Sequence, residues 1–179
     1  DGHMVIDIGG GTTEVAVVSM GGVVECDSVK TAGNSFDEAI IQYLRKEKGI
    51  LIGRQTAESI KKDLAAAMKL EEPRRVSVRG FSQSVSSAET TYFTSDQAHE
   101  AIREPCLGIL TAIKWVLERT PPELAADIIE RGITLTGGGA LLRGLSQRIA
   151  DEIGMPVKVA ANPLDCVVLG TAKCLESDK

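Results

Sequence analysis

The sequence predicts an α/β fold in which a sheet is opened by a meander of hairpins and covered by helices. Three observations carry this. The first 29 residues hold three short β-branched runs separated by glycine turns. The middle of the chain has apolar residues at helical spacing. The last third alternates strand and helix patterns. Such a mixture buries its faces by laying helices on a sheet.

The runs at residues 4–8, 14–19 and 23–29 read as strands, with glycine turns between them. Asn34 is placed to cap a helix carrying Phe36, Ile40, Tyr43 and Leu44 on one side. A second helix is expected over 55–69, with Ile60, Leu64 and Met68 on one stripe. Residues 76–78 alternate like a strand, 80–87 read as a polar loop, and 90–93 as a strand pairing back. A helical pattern resumes at Ser95, with a break expected at Pro105, which lacks a backbone donor. Thr120 to Glu123 reads as a helix start, with Thr120 as cap and Glu123 closing a capping box, and Gly132 ends that helix. A strand over 133–136, a turn at 137–139, a helix over 141–153, a strand over 156–159 and a helix over 163–175 complete the chain.

Composition excludes several classes. A net charge of −5 over 179 residues argues against a nucleic-acid surface, which needs clustered cations to displace phosphate counterions. The cysteines at 26, 106, 166 and 174 form no CxxC pair and the only histidines are His3 and His99, so no zinc framework can be drawn. His3 is given no role. No apolar run approaches the roughly 20 residues of a membrane span, and no leader pattern precedes the first strand. A cytoplasmic protein with reduced thiols is therefore expected.

Eighteen glycines are present, and six of them fall in two triplets, Gly9-Gly10-Gly11 and Gly137-Gly138-Gly139. Glycine is placed where φ must be positive or where a ligand comes close to the backbone. The first triplet joins two strands and follows Asp7, with Thr12 and Thr13 directly after. A strand–strand glycine turn directs several N–H groups at one anion. A carboxylate before it suits Mg²⁺, which takes oxygen ligands and keeps its water shell. Thr12 is placed to donate to a phosphate oxygen or to orient an attacking water.

The second triplet lies between a strand and a helix. A P-loop needs Lys-Ser/Thr after GxxxxG, but Leu145-Ser146 follow Gly144. A dinucleotide fingerprint needs a small residue where Leu142 stands and an acid after the next strand, where residues 159–161 supply none. What survives is a flat backbone ledge for a purine or ribose, or simply a tight turn that needs small residues. Glu58 and Lys61 lie three apart on the second helix and share a face. They read either as ribose and adenine contacts or as a surface ion pair.

Residues 5–14 (VIDIGGGTTE), 51–61 (LIGRQTAESIK) and 120–145 (TPPELAADIIERGITLTGGGALLRGL) together resemble the actin/heat-shock-chaperone/sugar-kinase ATPase superfamily. Within it they are most similar to the MreB/Mbl-type bacterial actins. The resemblance implies an α/β, ribonuclease-H-like actin-type ATPase domain over 1–33 and 94–179, with a small inserted α+β subdomain over 34–93. It implies ATP and Mg²⁺ as cofactors, with Asp7 on the metal's shell and Thr12 near the hydrolytic water. Gly9, Gly10, Gly11, Thr12 and Thr13 would take the phosphates, Gly33 and Asn34 the ribose or phosphate. Glu58, Lys61, Gly137, Gly138, Gly139, Ala140 and Leu141 would take the adenosine. The implied function is the nucleotide-binding half of a filament-forming protein that maintains rod shape by organising cell-wall synthesis. The alternative is the ATPase half of a chaperone or sugar kinase.

The family grips ATP between two halves, and the other opens with an Asp-x-Gly-Thr hairpin outside these residues. This C-terminal half alone is thus expected to bind ATP weakly and hydrolyse it negligibly. The implied partners are further copies in a filament, the N-terminal half and the cell-wall elongation machinery. Membrane contact would be made only through the other half.

Overall fold

A computed structural model describes residues 1–160. The helix expected over 163–175, and with it Cys166 and Cys174, lies outside the described residues.

Strands β1 (Gly2–Ile8), β2 (Thr13–Ser19) and β3 (Gly22–Val29) form an antiparallel meander. The period-2 pattern explains why: Met4, Ile6 and Ile8 are fully buried and face Val17, Val15 and Thr13 across the ladder. The β2–β3 loop is the pair Met20-Gly21, both with positive φ, the geometry that matches strand twist. The later strands β7 (Ile133–Thr136) and β8 (Val157–Val159) add in parallel, giving the order β3-β2-β1-β7-β8. This mixed sheet with its flanking helices is the α/β arrangement expected.

Between β3 and β7 lie α1 (Gly33–Tyr43), α2 (Arg54–Leu64), α3 (Ser95–Ala101), α4 (Arg103–Arg119) and α5 (Pro122–Arg131). Helix α6 (Leu145–Ile153) joins β7 to β8. A second, three-stranded antiparallel sheet comprises β4 (Ile50–Leu51), β5 (Arg75–Ser82) and β6 (Ser87–Thr94). One buried apolar cluster runs from Met4, Ile6 and Ile8 through Phe36 and Ile40 to Ile109 and Ile113, with Val78 and Phe93 joining it from the second sheet.

Several local expectations are corrected. The cap of α1 is Ala32, whose N–H donates to Ser35 Oγ at 3.0 Å, so Asn34 lies inside the first turn. Helix α2 stops at Leu64 rather than running to Lys69. The Ala67 N–H donates instead to the Arg143 carbonyl at 2.8 Å, tying buried Ala65–Ala67 to the far end of the chain, and that tertiary contact overrides alanine's helix preference. Residues 80–82 and 87 are strand rather than loop: a Cβ on Gly80 would overlap the Leu51 carbonyl, so glycine is what lets β4 pair there.

The break before α4 falls at Ile102, not at Pro105, which sits in the first turn where its missing donor would be orphaned anyway. Thr120 ends α4 instead of starting α5: its hydroxyl donates to the Val116 carbonyl at 2.7 Å. The helix expected over 141–153 splits into a short 3₁₀ turn, Gly138–Leu141, and α6. Of the thiols expected to be reduced, Cys106 is free and buried; Cys26 is disulfide-bonded. Among the described residues no helix is long and apolar enough to cross a membrane.

Candidate functional site

The first glycine triplet is the tip of the β1–β2 hairpin. Gly9 N–H donates to the Thr12 carbonyl at 3.0 Å, leaving Gly10 and Gly11 as the turn. None of the three glycines has a left-handed φ. A Cβ on Gly9 or Gly10 would meet only ordinary contacts, at 3.4 and 3.5 Å, and on Gly11 it would meet nothing within 4 Å. The chain itself therefore does not require glycine here. Gly10, Gly11 and Thr12 are exposed, and among the described residues their N–H groups have no backbone acceptor. Free amides on a turn stripped of side chains form a seat for an anion.

The start of α1 is locked to this tip. Gly33 N–H donates to the Gly9 carbonyl at 2.9 Å and Asn34 N–H to the Gly10 carbonyl at 2.8 Å. A Cβ on Gly33 would stand 3.2 Å from that Gly9 oxygen, so Gly33 permits the close approach. Thr13 turns inward: it is fully buried and its hydroxyl donates to the Thr31 carbonyl at 2.6 Å.

The second triplet lies directly beside the first. Strands β1 and β7 run parallel with Asp7 opposite Thr136, so both glycine turns leave the sheet at the same end. Gly137 has φ +85, and a Cβ there would overlap the Ile8 carbonyl and come within 2.5 Å of Asp7 Oδ1. A Cβ on Gly139 would overlap the Ile8 side chain. These two glycines are demanded by packing, whereas Gly138 has open space around it. Ala140 is buried beneath the turn and Leu141 is 77% exposed above it.

Helix α2 supplies the opposite wall. A cavity of about 240 Å³ is lined by Phe36, Lys61, Ala65, Gly138, Gly139 and Leu141, among others. Lys61 Nζ is 2.9 Å from Asp37 Oδ1 and donates to the Gly33 carbonyl at 3.3 Å, so the ammonium joins α2 to the turn of α1 that holds the hairpin. Glu58 does not line this cavity; it pairs with Lys62 at 3.0 Å on the outer side of the helix, and that hydrogen bond holds its carboxyl below the usual range. A wider groove of about 740 Å³ along α1, reached by Asn34, Glu38, Gln42 and Glu100, lacks any such glycine ledge.

Three residues that sequence reasoning passed over stand in line with Asp7 on the sheet. Ser28, Glu14, Asp7 and Thr136 are successive partners across β3, β2, β1 and β7, so they project from one face as a polar row. The signal for Glu14 was legible: a carboxylate inside a β-branched run. Burial raises the Asp7 carboxyl above its ordinary value. Two oxygens in the row, Glu14 Oε2 and Thr136 Oγ1, are buried without a hydrogen-bond partner among the described residues. Carboxylate and hydroxyl oxygens suit a hydrated Mg²⁺, so the residues present fit that ion.

The raised Asp7 carboxyl gives a first prediction. Its protonated form is favoured in the folded chain, so ligand-free stability falls as pH rises from near the ordinary value of 3.8, which the unfolded chain keeps, through the raised folded value. Asp7→Asn is expected to raise the melting temperature of ligand-free protein at pH 7, and the gain should vanish at pH 3. Thermal unfolding at both pH values checks this, and a destabilised variant at pH 7 would contradict it.

A profile of the family described as MreB/Mbl protein matches residues 1–179. The chain is 48% identical over 176 residues to the cell shape-determining protein Mbl of Bacillus subtilis, covering 98% of this chain and 53% of that one. It is 50% identical over 175 residues to the cell shape-determining protein MreB of Escherichia coli, covering 98% and 50%. The chain thus spans about half the length of the curated relatives it matches. Among solved structures, MreB5 of Spiroplasma citri bound to ADP superposes with a TM-score of 0.88 at 37% identity, covering 99% of this chain and 54% of that one. The same protein has been solved with AMPPNP. The MamK double helical filament superposes at 0.71 with 19% identity, covering 97% and 54%, a likeness of fold alone.

Proposed function

The chain belongs to the MreB/Mbl family, and on that premise we propose that it forms one wall of an ATP–Mg²⁺ cleft in a filament-forming bacterial actin that maintains rod cell shape by organising cell-wall synthesis. The observation that carries this is the adjacency of two glycine bends, Gly9–Gly11 and Gly137–Gly139, at one end of one sheet. The relatives' names favour cell-shape determination over the chaperone or sugar-kinase alternative.

In this reading the free amides of Gly10, Gly11 and Thr12 take the phosphates. Lys61, Gly138, Gly139, Ala140 and Leu141 enclose the adenosine, with Gly33 and Asn34 beside the ribose and phosphates. Glu58 reaches the ribose only by leaving Lys62. Mg²⁺, when bound, neutralises charge on the phosphate oxygens, and Asp7 anchors its water shell. Thr12 orients the attacking water. Residues 1–33 and 94–179 act as the ATPase subdomain and 34–93 as the smaller insert. The N-terminal half of the protein supplies the facing wall, so this half alone turns over negligibly. The assembled protein is cytoplasmic, polymerises with itself, contacts the cell-wall elongation machinery and meets the membrane as a filament through its other half.

The test uses the full-length protein containing this chain. ATP-dependent sedimentation is expected, with Asp7→Ala or Thr12→Ala slowing phosphate release by about a hundredfold, the scale of losing one preorganised electrostatic contact. Unchanged turnover in both variants would refute these roles.

A further inference from the structure

Beyond the contacts assigned above, the polar row beneath the hairpin holds one acid that no role yet explains. Glu14 is only 6% exposed. Its Oε1 accepts from Ser28 Oγ at 3.0 Å, which fixes the carboxylate's orientation, while Oε2 has no partner among the described residues. On one side stands Ser28 and on the other Asp7, its direct cross-strand neighbour. Beyond Asp7 lies Thr136, 2% exposed, whose hydroxyl is likewise unpartnered.

Buried polar atoms almost always find partners, so two orphans in one row mark a place that something else fills. Like charges set directly opposite on a sheet repel. Placing Glu14 beside Asp7 is therefore unfavourable unless positive charge or a donor network is shared between them. A hydrated divalent ion supplies both, because its waters donate strongly to carboxylate and hydroxyl oxygens.

We propose that Glu14, oriented by Ser28 and assisted by Thr136, is a second acidic positioning residue of the Mg²⁺–nucleotide site, acting on the ion's bound waters alongside Asp7. This rests on the nucleotide reading above. Asp7 and Glu14 are direct partners across β1 and β2, at the same level below the hairpin tip, so both carboxylates would hold waters of one ion. Residues that orient a metal's ligands typically change its affinity by about 10–100-fold when removed.

The full-length protein tests it by ADP titration with Mg²⁺ and with EDTA, and by Mn²⁺ binding followed by electron paramagnetic resonance. Glu14→Gln keeps the size and the acceptor for Ser28. It is expected to reduce the Mg²⁺-dependent tightening of ADP by about tenfold and to weaken Mn²⁺ similarly, leaving ADP affinity in EDTA unchanged. Thr136→Val should give a smaller loss of the same kind. An undiminished metal effect in Glu14→Gln overturns the proposal, as does an equal loss with and without metal, which marks a purely structural role. Should Glu14→Gln fail to fold, Glu14→Asp carries the test: lowered Mn²⁺ affinity supports the assignment and wild-type affinity overturns it. Failure of the unmodified protein to bind Mg²⁺–ADP at all would instead sink the nucleotide reading itself.

Discussion

Gly137→Ala is expected to cost the fold about 3 kcal/mol, the sum of a left-handed backbone forced on a side chain and an overpacked contact. The new methyl would overlap the carbonyl of Ile8, a residue held in place by its pairing with Thr13 across β1 and β2. Neither partner can move without opening the sheet. Gly11→Ala is the matched control. Its Cβ meets no atom of the described residues within 4 Å and its φ is not left-handed, so stability should change by less than about 0.5 kcal/mol. Nucleotide affinity should nonetheless drop, by about tenfold, because the methyl stands where phosphate oxygens approach. Denaturant unfolding and nucleotide titration on both variants separate the two kinds of glycine. Equal stability losses would show that both triplets serve packing alone.

Lys61→Ala is expected to be comparably severe. Asp37 is 4% exposed at its side chain, and its carboxylate lies against Lys61 Nζ at 2.9 Å. Removing the ammonium leaves a buried carboxylate unpaired, a loss of about 3 kcal/mol, whereas removing both members leaves no buried charge. The double variant Asp37→Leu with Lys61→Met should accordingly recover most of the stability while still binding nucleotide poorly. The coupling reaches the hairpin, because the Gly33 carbonyl accepts from Lys61 and the Gly33 N–H donates to Gly9. Denaturant unfolding of the single and double variants measures the pair. A double variant no more stable than Lys61→Ala would contradict this assignment.

The strand meander and both glycine turns were legible because period-2 burial and glycine placement are local properties of the sequence. The adjacency of the triplets was not local. It depends on β7 pairing with β1 across more than a hundred residues, in a register set by the sheet. Helix ends were misread where the deciding group found a partner that its propensity does not reveal. Ala65–Ala67 favour helix by propensity, yet Ala67 is claimed by Arg143. Thr120 and Pro121 look like a helix start, yet the Thr120 hydroxyl turns back to Val116. The i,i+3 pairing of Glu58 with Lys61 failed for a related reason, since a buried acid on α1 drew Lys61 inward and left Glu58 to Lys62. Glu14 went unassigned because a lone acid in a strand acquires meaning only from Asp7 and Thr136 beside it.

Amide hydrogen exchange on the full-length protein, followed as Mg²⁺–ADP is titrated in, bears on the core claim most directly. One nucleotide spanning both bends predicts that residues 10–12 and 138–141 gain protection together, at the same half-saturating concentration. Protection confined to one segment, or arriving in the two at separate concentrations, would contradict it.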